Sequence, residues 1–140
     1  MKILSIQKAK FQVGAVVREK GDGSLVCSLF DDFNDIEAAY EASRNRLLAY
    51  FEQVARAGPK ALSTAQCHQI DANEKIYEFI AGQLRVLFFQ GATGNVVICS
   101  HMFLKKTQKT PPKEVSKAVR AKKEYEQADK AGLVEWRKEL

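Results

Sequence analysis

Eight basic residues, Lys105, Lys106, Lys109, Lys113, Lys117, Arg120, Lys122 and Lys123, fall within nineteen positions that hold a single acid, Glu114. Up to Leu104 the chain is neutral, with 11 basic and 11 acidic side chains. A local surplus of seven positive charges beside a balanced body is the footprint of a surface that grips a polyanion, or else of a solvated helix face. Upstream, Arg85 interrupts an apolar run at residues 84–89. A guanidinium in such a place can hold two phosphate oxygens in a fork, or it can pair with Glu78 on the preceding run. Glu78 alternates with Ile76 and Ile80, so its face is otherwise apolar, and it reads either as a proton acceptor or as that ion-pair partner. His101 can move protons near neutral pH. Its spacing puts it on one strand face with Cys99 and Phe103, which also suits a hydrogen-bonded core histidine.

These side chains need a scaffold, and periodicity supplies one. Residues 76–80, 84–89 and 96–104 are short runs rich in β-branched and aromatic residues, separated by Ala81-Gly82-Gln83 and by a Gly-rich loop at 91–95, which describes an antiparallel meander. Val96 to Cys99 are apolar at every position, so that strand is expected to be central and covered on both faces. After it, Thr110 can cap a last helix with Pro111 at its first position, running to about Lys130 and ended by Gly132. Val115, Ala118, Val119 and Tyr125 would share its inner side, and Lys113, Lys117 and Arg120 would face out. Earlier, residues 11–18 alternate, Asp22-Gly23 marks a turn, and 25–30 read as the returning strand of an N-terminal hairpin. Asn34 with Glu37 three residues on suggests the start of a long helix that stops at Gly58-Pro59. The stretch 59–73, which contains His68, shows no clear pattern. The sum is an α+β domain: an antiparallel sheet built from the hairpin 11–30 and the meander, a long helix packed on it, and a basic C-terminal helix.

With 140 residues, the chain is expected to be a single domain with a tail at 131–140, whose Leu133, Val134 and Trp136 could anchor it. Cys27, Cys67 and Cys99 are odd in number and far apart, so they read as packing residues rather than as a disulfide framework or a zinc site. No apolar run is long enough to span a bilayer, and the first residues lack a signal-peptide core, so a cytoplasmic protein without membrane contact is expected.

The string His101-Met102-Phe103-Leu104-Lys105-Lys106-Thr107-Gln108-Lys109-Thr110-Pro111 resembles a segment of the RelE/ParE superfamily of type II toxins, above all its HigB-like, phage-derived branch. Tyr77-Glu78, Arg85-Val86-Leu87-Phe88, and the helix positions Glu114, Ala118 and Tyr125 extend the similarity over about residues 76–125. The resemblance implies a RelE-like fold and a toxin that cleaves mRNA during translation. It also implies a neutralising antitoxin, commonly a helix-turn-helix protein, and no small-molecule cofactor. The implied chemistry is attack of a ribose 2′-hydroxyl on the adjacent phosphate without a metal.

That reaction needs a proton acceptor, cations on the phosphorane oxygens, and a proton for the leaving 5′-oxygen. On the resemblance, Arg85 is expected to stabilise the phosphate and Glu78 to serve as base. Lys105 or Lys106 would stabilise the leaving oxygen or the phosphate, while Lys109, Lys113, Lys117 and Arg120 bind RNA phosphates. Two other readings compete: a ParE-like toxin that inhibits DNA gyrase without catalysis, and an inactive RNA-binding module.

Overall fold

The computed structural model describes residues 1–140. Eight strands form one sheet: β1 (Lys2–Lys8), β2 (Gln12–Glu19), β3 (Leu25–Val26), β4 (Cys67–Asp71), β5 (Ile76–Ala81), β6 (Leu84–Gln90), β7 (Val96–Leu104) and β8 (Glu135–Arg137). The order across it is β4-β5-β6-β7-β2-β1-β8, with β3 hydrogen-bonded to the far end of β2. Three helices, α1 (Ser28–Asn34), α2 (Glu41–Ala57) and α3 (Pro112–Lys130), complete the α+β fold, which is consistent with a RelE-like architecture.

The meander β5-β6-β7 is antiparallel throughout. β7 lies inside the sheet with both faces covered, because an all-apolar strand gains most where helices pack on both sides. Val13, Ala15, Phe79, Val86, Phe88, Val97 and Cys99 face α1 and α2, where Leu29, Phe33, Leu47, Phe51 and Val54 meet them. On the other face Ile76, Leu87, Phe89 and Ile98 pack under Ala118, Ala121 and Tyr125 of α3. Gly58 ends α2 at φ +84°, a backbone angle that glycine adopts without a Cβ penalty.

Several details depart from the sequence reading. The sheet is mixed, since β2 runs parallel to β7 and β8 parallel to β1. The hairpin expected over 11–30 is present but short, with its returning strand reduced to the two residues of β3, while β1, which was not foreseen, pairs along the length of β2. Residues 28–34 turn helical because Leu29 and Phe33 lie one turn apart and bury together against the sheet. The long helix therefore begins at Glu41, after a short 3-10 turn at Ala38–Tyr40, and not near Asn34. The tail adds strand β8 to the sheet edge: Trp136 packs on the α3-side core, while Leu133 stays exposed. No helix is long and apolar enough to cross a membrane.

Candidate functional site

The β5–β6 turn organises the site. Gly82 sits at φ +58° in that turn, and its carbonyl accepts a hydrogen bond from Arg85 Nη1 at 2.7 Å; the same nitrogen donates to Leu84 O at 2.9 Å. The next carbonyl, Gln83 O, accepts the backbone N–H of Lys105 at 2.8 Å. One tight turn thus fixes both the guanidinium of β6 and the first lysine beyond β7. Alternation puts Arg85 on the α3 side of the sheet with Leu87 and Phe89, and puts Glu78 on that side with Ile76.

Glu78 is 0% exposed, and its two carboxylate oxygens have different surroundings. Oε2 accepts a 2.7 Å hydrogen bond from Thr110 Oγ1. Oε1 is buried without a hydrogen bond, 3.4 Å from Arg85 Nε and 3.4 Å from His68 Nε2. Thr110 was expected to cap α3, but its hydroxyl goes to Glu78, and the helix starts two residues later at Pro112 with no side-chain cap. The carboxylate thereby ties the loop after β7 to β5. Arg85 is only 13% exposed at its side chain, with Nη1 committed to carbonyls and Nε beside Glu78.

Above this pair lies a cleft of about 380 Å³ lined by His68, Gln69, Ile70, Lys105, Gln108, Lys109, Thr110 and Val115. Lys105 is therefore the lysine that faces the cleft, a choice the Lys105-Lys106 pair left open in the sequence; Lys106 is exposed and takes no part in the lining. Lys109 joins it from the 105–111 loop, which is braced by Thr107 Oγ1 donating to Lys109 O at 2.8 Å. Arg85 and Glu78 do not line the cleft; they meet it through Thr110 and His68. Lys113, Lys117 and Arg120 are exposed on α3 outside the cleft. Lys117 lies close enough to Asp32 of α1 to offset in part the burial that raises that carboxyl.

His68 is the site residue that sequence reasoning missed. It lies on the edge strand β4, whose register sets it directly opposite Glu78. Nothing in the sequence marks it, since a polar edge strand carries little hydrophobic signal. His101 is the buried, hydrogen-bonded histidine that its spacing allowed, and it shares a face with Phe103 but not with Cys99. An extra residue at Ser100 bulges β7, since Phe88 pairs with Cys99 but Leu87 with His101, and the bulge turns His101 to the α3 face, away from Cys99. There the imidazole is 1% exposed. Its Nδ1 lies 2.9 Å from Ser100 Oγ and its Nε2 3.2 Å from Glu114 Oε1. A carboxylate accepts, so Nε2 carries the proton and Nδ1 accepts from the serine hydroxyl. Burial, with help from Lys117, pushes its pKa down to about 4 against the opposing pull of Glu114, so it is a neutral structural group at pH 7.

No group of three or more His, Cys, Asp or Glu side chains is arranged to hold a metal ion. No curated protein sequence matches the chain significantly. The family model described as phage derived protein Gp49-like (DUF891) matches residues 34–123, a segment that runs from the end of α1 through the meander, the cleft and the basic part of α3. With more than half of its length matched, the chain belongs to the Gp49-like family of phage-derived proteins, a toxin-like family within the RelE/ParE-like superfamily.

Proposed function

We propose that this protein is the toxin of a type II toxin–antitoxin pair, of the HigB-like branch, and that it cleaves mRNA on translating ribosomes. The observation that carries the reading is the cleft: Lys105 and Lys109 line one hollow whose base is tied to the Glu78–Arg85 pair through Thr110. A member of a toxin family implies a cognate antitoxin as partner. A gyrase inhibitor would need a docking surface, but not two ammonium groups lining a hollow.

In this reading a phosphodiester enters the cleft with a non-bridging oxygen against Lys109, while the Arg85 guanidinium, behind the lining beside Glu78, adds positive charge from outside it. Preorganised cations there meet the charge that develops on the phosphorane and require no reorganisation as it forms. Lys105 donates the proton that the leaving 5′-oxygen needs. The cations in this reading are the protein's own side chains. Glu78 is sealed from solvent and therefore holds other groups in place instead of meeting the 2′-hydroxyl itself. Lys113, Lys117 and Arg120 guide the RNA backbone toward the cleft without reading its sequence.

Primer extension on mRNA from ribosomes programmed in the presence of the purified protein tests the proposal, with gyrase supercoiling run in parallel. The expected result is discrete cuts ending in 2′,3′-cyclic phosphates and unaltered supercoiling. Growth arrest with intact mRNA and lost supercoiling would overturn it in favour of the gyrase-binding reading.

A further inference from the structure

We propose that His68 is the group that removes the proton from the attacking ribose 2′-hydroxyl, and that Glu78 is the positioning residue that holds it in the competent tautomer. The inference deepens the nuclease reading above and rests on it. His68 lines the cleft and is 43% exposed at its side chain, whereas the carboxylate behind it is fully buried. Glu78 Oε1 has no hydrogen bond, although both a guanidinium nitrogen and an imidazole nitrogen stand 3.4 Å away. A buried carboxylate oxygen without a donor is unfavourable, because it has given up water without a replacement. A small rotation of the half-exposed ring lets Nε2–H donate to it. The proton is then fixed on Nε2, and Nδ1 is left with a free lone pair on the ring that borders the cleft.

No other group lining the cleft is suited to the task. Lys105 and Lys109 enter as cations, and Gln69, Gln108 and Thr110 are not bases at neutral pH. His101 is sealed between Ser100 and Glu114. The step balances as follows. The 2′-hydroxyl proton passes to His68 Nδ1 while the 2′-oxygen bonds to phosphorus. The bond from phosphorus to the 5′-oxygen breaks, and that oxygen takes a proton from the Lys105 ammonium. The products are a 2′,3′-cyclic phosphate and a 5′-hydroxyl, and exchange with water returns His68 and Lys105 to their starting states. The imidazolium that forms lies against the buried Glu78 carboxylate, which stabilises it as the aspartate of a serine-protease triad stabilises its histidine.

Single-turnover cleavage of mRNA on programmed ribosomes tests the assignment. His68→Ala should slow cleavage by about 10²–10⁴-fold, and added imidazole should restore part of the rate, because the residue faces an open cleft. A 5′-thio leaving group at the scissile phosphate should rescue Lys105→Ala but leave His68→Ala slow, since sulfur departs without a proton. Glu78→Gln keeps an acceptor for Thr110 and should lower kcat with KM unchanged. Wild-type rates in His68→Ala overturn the inference and leave the nuclease reading intact. So does a slow His68→Ala that imidazole does not rescue and that also melts earlier than wild type. A wild-type protein that cuts no RNA in the same assay overturns the nuclease reading itself, and this inference with it.

Discussion

Acid should unfold this protein partly through His101, and the size of the effect follows from its burial. In the folded chain the imidazole has a pKa of about 4, while an unfolded histidine has about 6.5. The unfolded state therefore binds the proton more readily. The stability that the neutral ring contributes is present above pH 6.5 and is lost as pH falls from there toward 4. At pH 4.5 the linkage relation gives a loss of about 2–3 kcal/mol relative to pH 7. With a typical denaturant dependence this lowers the urea midpoint by about 1 M. Urea titrations at pH 7 and pH 4.5 should be compared for wild type and for His101→Gln, which keeps a donor for Glu114 but cannot titrate. Carboxylates elsewhere contribute to both proteins, so the quantity of interest is the difference between the two midpoint shifts. If the variant loses as much as wild type on acidification, His101 is not the proton-linked group and its sealed placement against Glu114 has been misread.

Replacing Arg85 by Ala should lower the rate of mRNA cleavage about 100-fold and abolish growth arrest, while antitoxin binding by calorimetry stays unchanged; full toxicity would contradict its phosphate role. Lys105→Ala should show a comparable loss in the cleavage assay, whereas Lys106→Ala, exposed and outside the cleft, should retain most of the activity. Removing Lys113 and Lys117 together should reduce the slope of log affinity against log salt for single-stranded RNA by about 1.4, and an unaltered slope would exclude this face from RNA contact. Gly14→Ala should destabilise the fold by about 1–3 kcal/mol: a Cβ there would stand 2.5 Å from both Ile3 Cγ2 and Trp136 Cζ3. Its thermal melt, followed by the fluorescence of the single tryptophan, checks this.

The parts of the fold that were legible from sequence are those specified by neighbours along the chain. β5, β6 and β7 announce themselves through dense β-branched and aromatic residues and tight Gly-containing connections. α3 follows from a proline start and an apolar side at helical spacing. What escaped was set by distant partners. β1 joins β2 through Ala9-Lys10-Phe11, which lacks the usual turn residues, and β8 becomes a strand only because β1 offers it an edge. β4, Cys-His-Gln-Ile-Asp, is a polar edge strand with no alternation to detect. The same cause hid His68: its closeness to Glu78 is a property of cross-strand register, whereas Arg85 and Lys105 could be singled out as charges breaking or ending apolar runs. The bulge at Ser100 reversed the face of His101, since period-2 reasoning presumes an uninterrupted ladder.

The parallel pairing of β2 with β7 bears on how the chain is made. Val13 to Val17 are buried in the finished protein, yet the strand that flanks them lies about eighty residues downstream. At roughly 5–20 residues per second of ribosomal synthesis, that segment emerges some 4–16 s before its neighbour does. For that interval a nascent β1–β2 ribbon carries an apolar, unprotected margin, which is the kind of surface that recruits a chaperone or a second unfinished copy. Yield on overexpression should therefore respond more to translation speed and holdase supply than to the final stability of the folded protein.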